Sequence, residues 1–279
     1  MGKRRICYVG ALGLALAVAV PATAMASATQ NIEAGFSPQN NANVVFGQSA
    51  NLGSEFSKGG TLRVNTFFSD IVGTPPALEI ADIHLPEEMK FTTKGLPECN
   101  PAEIAGLPAE AATAACKQSV VGSGLATLFG IGAQGSSLLI NGTKQNGNPT
   151  TLVHISVGAA PPVTLIGELR NSPLGSPYGQ VLHVPVSETA GGPVPSGLSV
   201  TRTELTKISK TFKDKKLLKK AKKAKKQGNT KKAKKLKKKA KKTYISAKCT
   251  DGTLSYRADF LHAPPDADQS PTYEQPCTS

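Results

Sequence analysis

The chain has 279 residues, a formal net charge of +14, no tryptophan, 20 prolines and 27 glycines. That length admits one all-β domain of about 200–250 residues behind a leader, and the lack of tryptophan, with only five tyrosines, argues against a sugar-binding module built on aromatic platforms. The charge is not spread: from Lys207 to Lys242 twenty lysines stand against one acid, Asp214, while the remaining chain beyond residue 5 has ten basic and eighteen acidic residues.

The first residues, MGKRRICYVGALGLALAVAVPATAMASA, place Lys3, Arg4 and Arg5 before an apolar run from Ile6 to Val20. Small residues follow that suit cleavage after Ala26 or after Ala28, so residues 1–28 are expected to be a secretory signal peptide. The run is shorter than the ~20 residues needed to span a bilayer. The mature protein is therefore expected to be secreted or associated with the cell surface. Four cysteines remain after the leader: Cys99, Cys116, Cys249 and Cys277. An even number in an exported chain reads as two disulfides. Of the three connectivities, the local pairing Cys99–Cys116 and Cys249–Cys277 is expected, each bridge closing one loop at a gain of about 3 kcal/mol.

Residues 29–42 are polar and expected to form an irregular lead-in. Short alternating runs then recur between Gly, Pro and Asn: TLRVNTFF, ALEIADIHL, SLLING, TTLVHISVG, VTLIGELR, GQVLHVPV, LSVTRTEL, TYISAKC and LSYRADFLH. Period-two alternation with β-branched residues marks strands. The expected fold class is all-β, a β-sandwich-like domain of about ten strands formed by residues 29–206 and 243–279. LSVTRTEL and TYISAKC are expected to pair with each other at the base of an insertion. The Ala- and Glu-rich stretch between Cys99 and Cys116 reads as one or two helical turns inside a disulfide-closed loop.

The segment LPECNPAEIAG…ACKQSVVGSGLATL, from Leu96 to Leu128, resembles uncharacterised secreted proteins of soil actinobacteria of the Thermoleophilia type. Those carry a similar Leu-Pro-x-Cys, a second Cys, a Ser-x-Val-Gly-x-Gly stretch and a strand series ending in two more cysteines. The resemblance covers most of the mature chain apart from the lysine arm. It implies the fold and export, and supplies no active site.

No catalytic motif is legible. His84, His154, His183 and His262 fall on expected strands or strand ends without metal-ligand spacing, and are read as half-exposed strand histidines. Ser123 lies outside a GxSxG elbow, and no phosphate-binding loop, dinucleotide fingerprint or calcium loop occurs. Asp266 and Asp268 read as a solvated loop. No catalytic residue, metal ligand or cofactor is assigned, and the protein is expected not to be an enzyme. The competing reading is a secreted hydrolase or carbohydrate-active enzyme whose site is assembled only in space.

The arm, residues 207–242, has internal order. Leu217, Ala221 and Ala224, then Ala233, Leu236 and Ala240, would form a narrow apolar stripe on each of two helices. Gly228 suits the end of the first, and Asn229 or Thr230 the start of the second. Like charges at i and i+4 oppose helix formation by a few tenths of a kcal/mol per pair, so a helical or disordered hairpin is expected, largely frayed when free. Its polyanion-binding set is Lys215, Lys216, Lys219, Lys220, Lys222, Lys223, Lys225, Lys226, Lys231, Lys232, Lys234, Lys235, Lys237, Lys238, Lys239, Lys241 and Lys242. No aromatic residue is interleaved among them, which disfavours base stacking. The expected partners are anionic polymers met without sequence preference: cell-wall polymer, nucleic acid outside the cell, or an anionic membrane surface. No small-molecule substrate is expected.

Overall fold

A computed structural model of the protein describes residues 27–38, 45–57, 59–72, 77–128, 133–186, 200–208, 211–213, 215–264 and 266–279. The expected leader up to Ala26 lies outside the described residues, as do Lys210 and Asp214 of the arm. The chain is mostly β, as its alternating runs predict. In order it forms β1 (Ser27–Pro38), β2 (Ala50–Asn51), β3 (Gly60–Val72), β4 (Leu78–Pro86) and β5 (Met89–Phe91). A 3₁₀ turn (Pro101–Glu103) and α1 (Ala109–Ala115) precede β6 (Val120–Leu128), β7 (Gln134–Gln145), β8 (Asn148–Ser156), β9 (Val163–Asn171) and β10 (Tyr178–Pro185). Then come β11 (Val200–Ile208), β12 (Thr211–Lys213), α2 (Lys215–Lys226), α3 (Thr230–Ala240) and β13 (Lys241–Thr243). The chain closes with β14 (Ile245–Ala247), β15 (Thr253–His262) and β16 (Thr272–Thr278).

Twelve strands hydrogen-bond into one sheet, in the order β1-β3-β11-β6-β7-β8-β9-β10-β4-β15-β16-β2. Every pairing is antiparallel except that of β16 with β2. Alternation decides which face turns inward. In β15, Leu254, Tyr256, Ala258, Phe260 and His262 are buried while the residues between them are half-exposed. The sheet curls until β1 lies beside β15 and β16. One core then collects Phe36, Leu62, Leu85, Leu139, Val153, Leu165, Leu205 and Tyr256 from eight different strands.

The disulfides are the two expected ones, Cys99–Cys116 and Cys249–Cys277. The first closes the loop holding the 3₁₀ turn and α1, the short helical turns read from the sequence. That loop covers the outer face of β7 and β8, where Ile104, Ala112 and both cysteines pack on Leu138, Ile140 and Leu152. Its first turn is capped by Asn100, whose Oδ1 accepts from the Ala102 N–H at 3.0 Å. The second disulfide ties the chain after β14 to β16 inside the main core.

Two expectations are corrected. Of residues 29–42, read as an irregular lead-in, residues 29–38 instead belong to a twelve-residue strand (Ser27–Pro38) paired along β3, and residues 39–42 lie outside the described residues. Ile32, Ala34 and Phe36 alternate inward and are buried, which outweighs the polar composition around them. LSVTRTEL and TYISAKC do not pair: β11 lies between β3 and β6, and β14 pairs with β5. A separate ribbon of β12 and β13 closes the base of the arm, so its flanks can diverge.

Candidate functional site

The lysine arm rises from that ribbon, with Phe212 opposite Lys242. Its root is fastened to the body by the residues that follow. Tyr244 is fully buried, its hydroxyl 2.8 Å from Thr151 Oγ1 and its ring edge-on to Phe91 at 5.1 Å. Phe212 packs on the main core, and Lys242 Nζ donates to the Lys94 carbonyl at 3.3 Å.

Beyond the root, α2 and α3 fold back on each other. The Asn229 N–H bonds to the Ala224 carbonyl at 3.0 Å, with Gly228 at φ 75°, which is a Schellman end to α2. Asn229 then caps α3, its Oδ1 accepting from the Lys232 N–H at 3.0 Å. Ala221, Ala224, Ala233 and Ala240 are buried, and Leu217 and Leu236 are half-buried. The stripe read from the sequence is therefore the seam between two helices, where small side chains let the backbones approach. Both helices are formed in the structure, and the turn between them is capped. Every lysine of α2 and α3 whose side chain is described is exposed. Neither helix has an acid in its first turn to offset this charge. The arrangement is a rod with one apolar seam and cations on its remaining faces. Lys241 and Lys242 sit lower, in β13, and Lys242 is half-buried.

The histidines are not four half-exposed strand residues. His183 is half-buried, with Nδ1 2.6 Å from Asp82 Oδ1. His84, His154 and His262 are buried, because each has a side-chain or backbone partner that replaces water. His154 Nδ1 meets Thr164 Oγ1 at 2.8 Å. Burial lowers the pKa of His154, against a smaller upward effect from a backbone hydrogen bond at Leu107. His262 takes its backbone partner from Asp268, and its ring lies 3.1 Å from the Ala267 carbonyl and 2.9 Å from Gln30 Oε1. Asp268 is exposed, as expected of a solvated loop residue, and its Oδ1 accepts from the His262 N–H.

His84 has the most chemically suggestive neighbours. Its Nδ1 is 3.0 Å from Ser172 Oγ and its Nε2 is 3.0 Å from Asp259 Oδ2. The other carboxylate oxygen of Asp259 accepts from Arg257 Nε at 2.7 Å. Burial works against the charge on Asp259, but hydrogen bonds from Ser270 and Arg257 and the positive charge of Arg257 outweigh it, leaving its pKa lowered. Strand register builds this group: His84 lies opposite Arg257, and Asp82 lies between His183 and Asp259. The sequence carried a faint signal, polar residues two apart in ADIH and in YRAD, whose intervening positions are Ile83 and Ala258. Ser172 gave none, since it is joined to them only through the β9–β10 turn.

Among the described residues, one trio of potential metal-binding groups comes together, Cys99, Glu103 and Cys116. Both of its sulfurs are in the disulfide, which removes the thiolates a metal would need. Comparison of the chain with protein-family models, curated proteins and solved structures finds no match in any of the three.

Proposed function

We propose that this is an exported protein that holds anionic polymers outside the cell through its lysine hairpin. The candidates are cell-wall polymer, extracellular DNA or an anionic membrane surface. One observation carries the reading: the apolar stripe of α2 and α3 is taken up by the seam between them, and the described lysine side chains of both helices face solvent. A charge field of this kind attracts phosphate, sulfate or carboxylate arrays without reading a sequence. The two disulfides, and the absence among the described residues of a helix long and apolar enough to cross a membrane, are compatible with that compartment. In this reading residues 29–206 and 243–279 form one sandwich-like body made by the facing walls of the curled sheet. Residues 207–242 are an insertion in it. The contact requires no cofactor and no chemistry.

The test compares full-length protein with an arm-deleted form on purified cell wall, DNA and anionic vesicles at several salt concentrations. If about eight lysines contact duplex phosphates, log K should fall with log salt at a slope near about −7, and affinity should drop roughly four orders of magnitude between about 50 and 200 mM. Equal binding by the arm-deleted form would refute the tether. A second reading, a secreted hydrolase, is favoured by the Ser172–His84–Asp259 geometry.

A further inference from the structure

We propose that Ser172 is a nucleophile for acyl transfer, with His84 as its general base and Asp259 as the residue that positions His84. This goes beyond the electrostatic tether and is independent of the arm. The argument begins with Asp259. As a carboxylate it only accepts hydrogen bonds, and Arg257 occupies one oxygen while the other faces His84 Nε2. The proton of neutral His84 is therefore fixed on Nε2. That leaves the lone pair of Nδ1 aimed at Ser172 Oγ, 3.0 Å away.

Serine, histidine and aspartate in this relation form the relay that activates serine in acyl-transfer enzymes, recognised by geometry and roles and not by position in the chain. The two ring nitrogens exchange their usual partners here. Imidazole can accept through either nitrogen once the other holds the proton, so the exchange preserves the base. His84 cannot swing away easily: its side chain is 2 % exposed, and the Tyr178 ring lies 5.7 Å from its own. Ser172 is half-buried at the start of a turn in which Pro173, Leu174, Gly175 and Ser176 are exposed, so a substrate carbonyl can approach from solvent. The Leu174 N–H donates to Ser172 Oγ at 3.3 Å and holds the hydroxyl at the mouth of the turn.

The chemistry suits a carboxylic ester with an accessible carbonyl. Ser172 Oγ bonds to the carbonyl carbon as its proton passes to His84 Nδ1. The ester C–O bond breaks, and the departing alcohol takes that proton. Water then attacks the acyl-serine through the same base, releasing the acid and restoring the Ser172 hydroxyl. An ester is favoured over an amide because an alkoxide leaves more readily than an amide nitrogen.

The competing role for the same contacts is to pin the β9–β10 turn to the sheet, and the experiment separates the two. Full-length protein is treated with a fluorophosphonate probe and with 4-nitrophenyl acetate, and adducts are mapped by peptide mass. One adduct on Ser172 is expected, absent from Ser172→Ala, with labelling slowed by roughly 100-fold or more in Asp259→Asn. Should Asp259→Asn fail to fold, the pH profile of labelling in the unaltered protein replaces it. The rate should rise through a single deprotonation and level off. Failure to label Ser172 in folded protein, labelling insensitive to Asp259→Asn, or a pH-independent rate would overturn the proposal. Loss of thermal stability in Ser172→Ala with no adduct in the parent would assign the contacts to the turn alone.

Discussion

The side-chain amide of Gln275 meets both backbone polar groups of Phe36. The Phe36 N–H donates to Oε1 at 2.7 Å, and Nε2 donates to the Phe36 carbonyl at 3.0 Å. Gln269 repeats the arrangement one stretch away, accepting from the Gln30 N–H at 2.6 Å and donating to the Ala28 carbonyl at 2.8 Å. Where β1 meets the far end of the sheet, two glutamine amides do what a strand backbone would do. They close the seam of the curled sheet and satisfy an edge that would otherwise invite pairing with another chain.

Replacing Gln275 by alanine should strand the Phe36 N–H and carbonyl in a buried place. The expected loss is about 2–4 kcal/mol in chemical denaturation, from these two hydrogen bonds, a third from Nε2 to the Gln48 carbonyl at 3.1 Å, and their desolvation. Gln275→Glu keeps an acceptor but turns a buried carboxylate toward the Phe36 and Gln48 carbonyls, and should be less stable than Gln275→Ala at neutral pH. Gln269→Ala should cost less, because that side chain is only half-buried. A midpoint unchanged in Gln275→Ala would show that the seam is held by packing alone.

The same seam chooses between the two expected cleavage points. β1 pairs from Ser27, opposite Val72, and Gln269 uses the Ala28 carbonyl. A cut after Ala26 keeps both contacts, and a cut after Ala28 removes them. If the protein is exported as proposed, the intact mass of the mature chain should correspond to a first residue of Ser27. A first residue of Thr29 would show that the end of the seam is dispensable.

Much of the body was legible because period-two alternation is a direct consequence of one wet and one dry face. LSYRADFLH gave β15 residue by residue. β1 was missed although Ile32, Ala34 and Phe36 alternate, because the polar residues on either side of them masked the period. The two- and three-residue strands β2, β5, β12 and β13 are too short to show a period, whereas β14 lies within TYISAKC. Pairing order was not legible at all: it depends on contacts such as Phe36–Gln275, 239 residues apart. For the same reason the hairpin seam and its caps could be read locally, while Ser172, His84 and Asp259 could be joined only by the register of the sheet.

Stability should decline on both sides of neutrality. Asp259 and Glu168 have lowered pKa values. For Glu168, burial acts in the opposite direction and is outweighed by hydrogen bonds from Arg170 and Asn148 and the charge of Arg170. The unfolded chain then binds more protons in acid, so this stability is present above the unfolded pKa and is lost as pH falls through the folded one. Burial raises the pKa of Tyr244, partly offset by Thr151, and of Tyr256, where Tyr273 adds to the rise. Their contribution is present below the unfolded value of about 10 and is lost as pH rises past it. Thermal melts against pH should show a flatter acid limb in Asp259→Asn. Tyr256→Phe should flatten the alkaline limb at little or no cost near pH 7, since its buried hydroxyl has no hydrogen-bond partner among the described residues.

Removing the arm should leave the body intact if its root is respected. Joining Lys213 to Lys241 through a short Asn-Gly turn keeps the β12–β13 ribbon, Phe212 and Tyr244. Shortening a connection changes closure entropy little, so stability should remain within about 1 kcal/mol. Extending the deletion through Tyr244 should cost much more, because a fully buried ring and its hydrogen bond to Thr151 are lost. Equal losses in the two deletions would show that α2 and α3 themselves pack on the body.

Within the arm, seam and charge can be varied separately. Ala221→Gln with Ala233→Gln places long side chains at positions 0 % and 4 % exposed without changing the charge. The helices should be forced apart, and the helical circular dichroism of the arm should fall, most of all at low salt where lysine repulsion is least screened. Adding heparin should restore part of that signal, because neutralised lysines no longer repel at i and i+4. The slope of log K against log salt should stay the same, since the same lysines are present, and affinity should fall less than about tenfold, the fold cost of ordering a looser hairpin (about 1.4 kcal/mol). Changing every second lysine of α2 and α3 to glutamine should instead halve the slope with the seam untouched. An affinity that collapses in the alanine variant at unchanged slope would mean that the polyanion is met by a fixed spacing of lysines on two packed helices, and not by the density of charge.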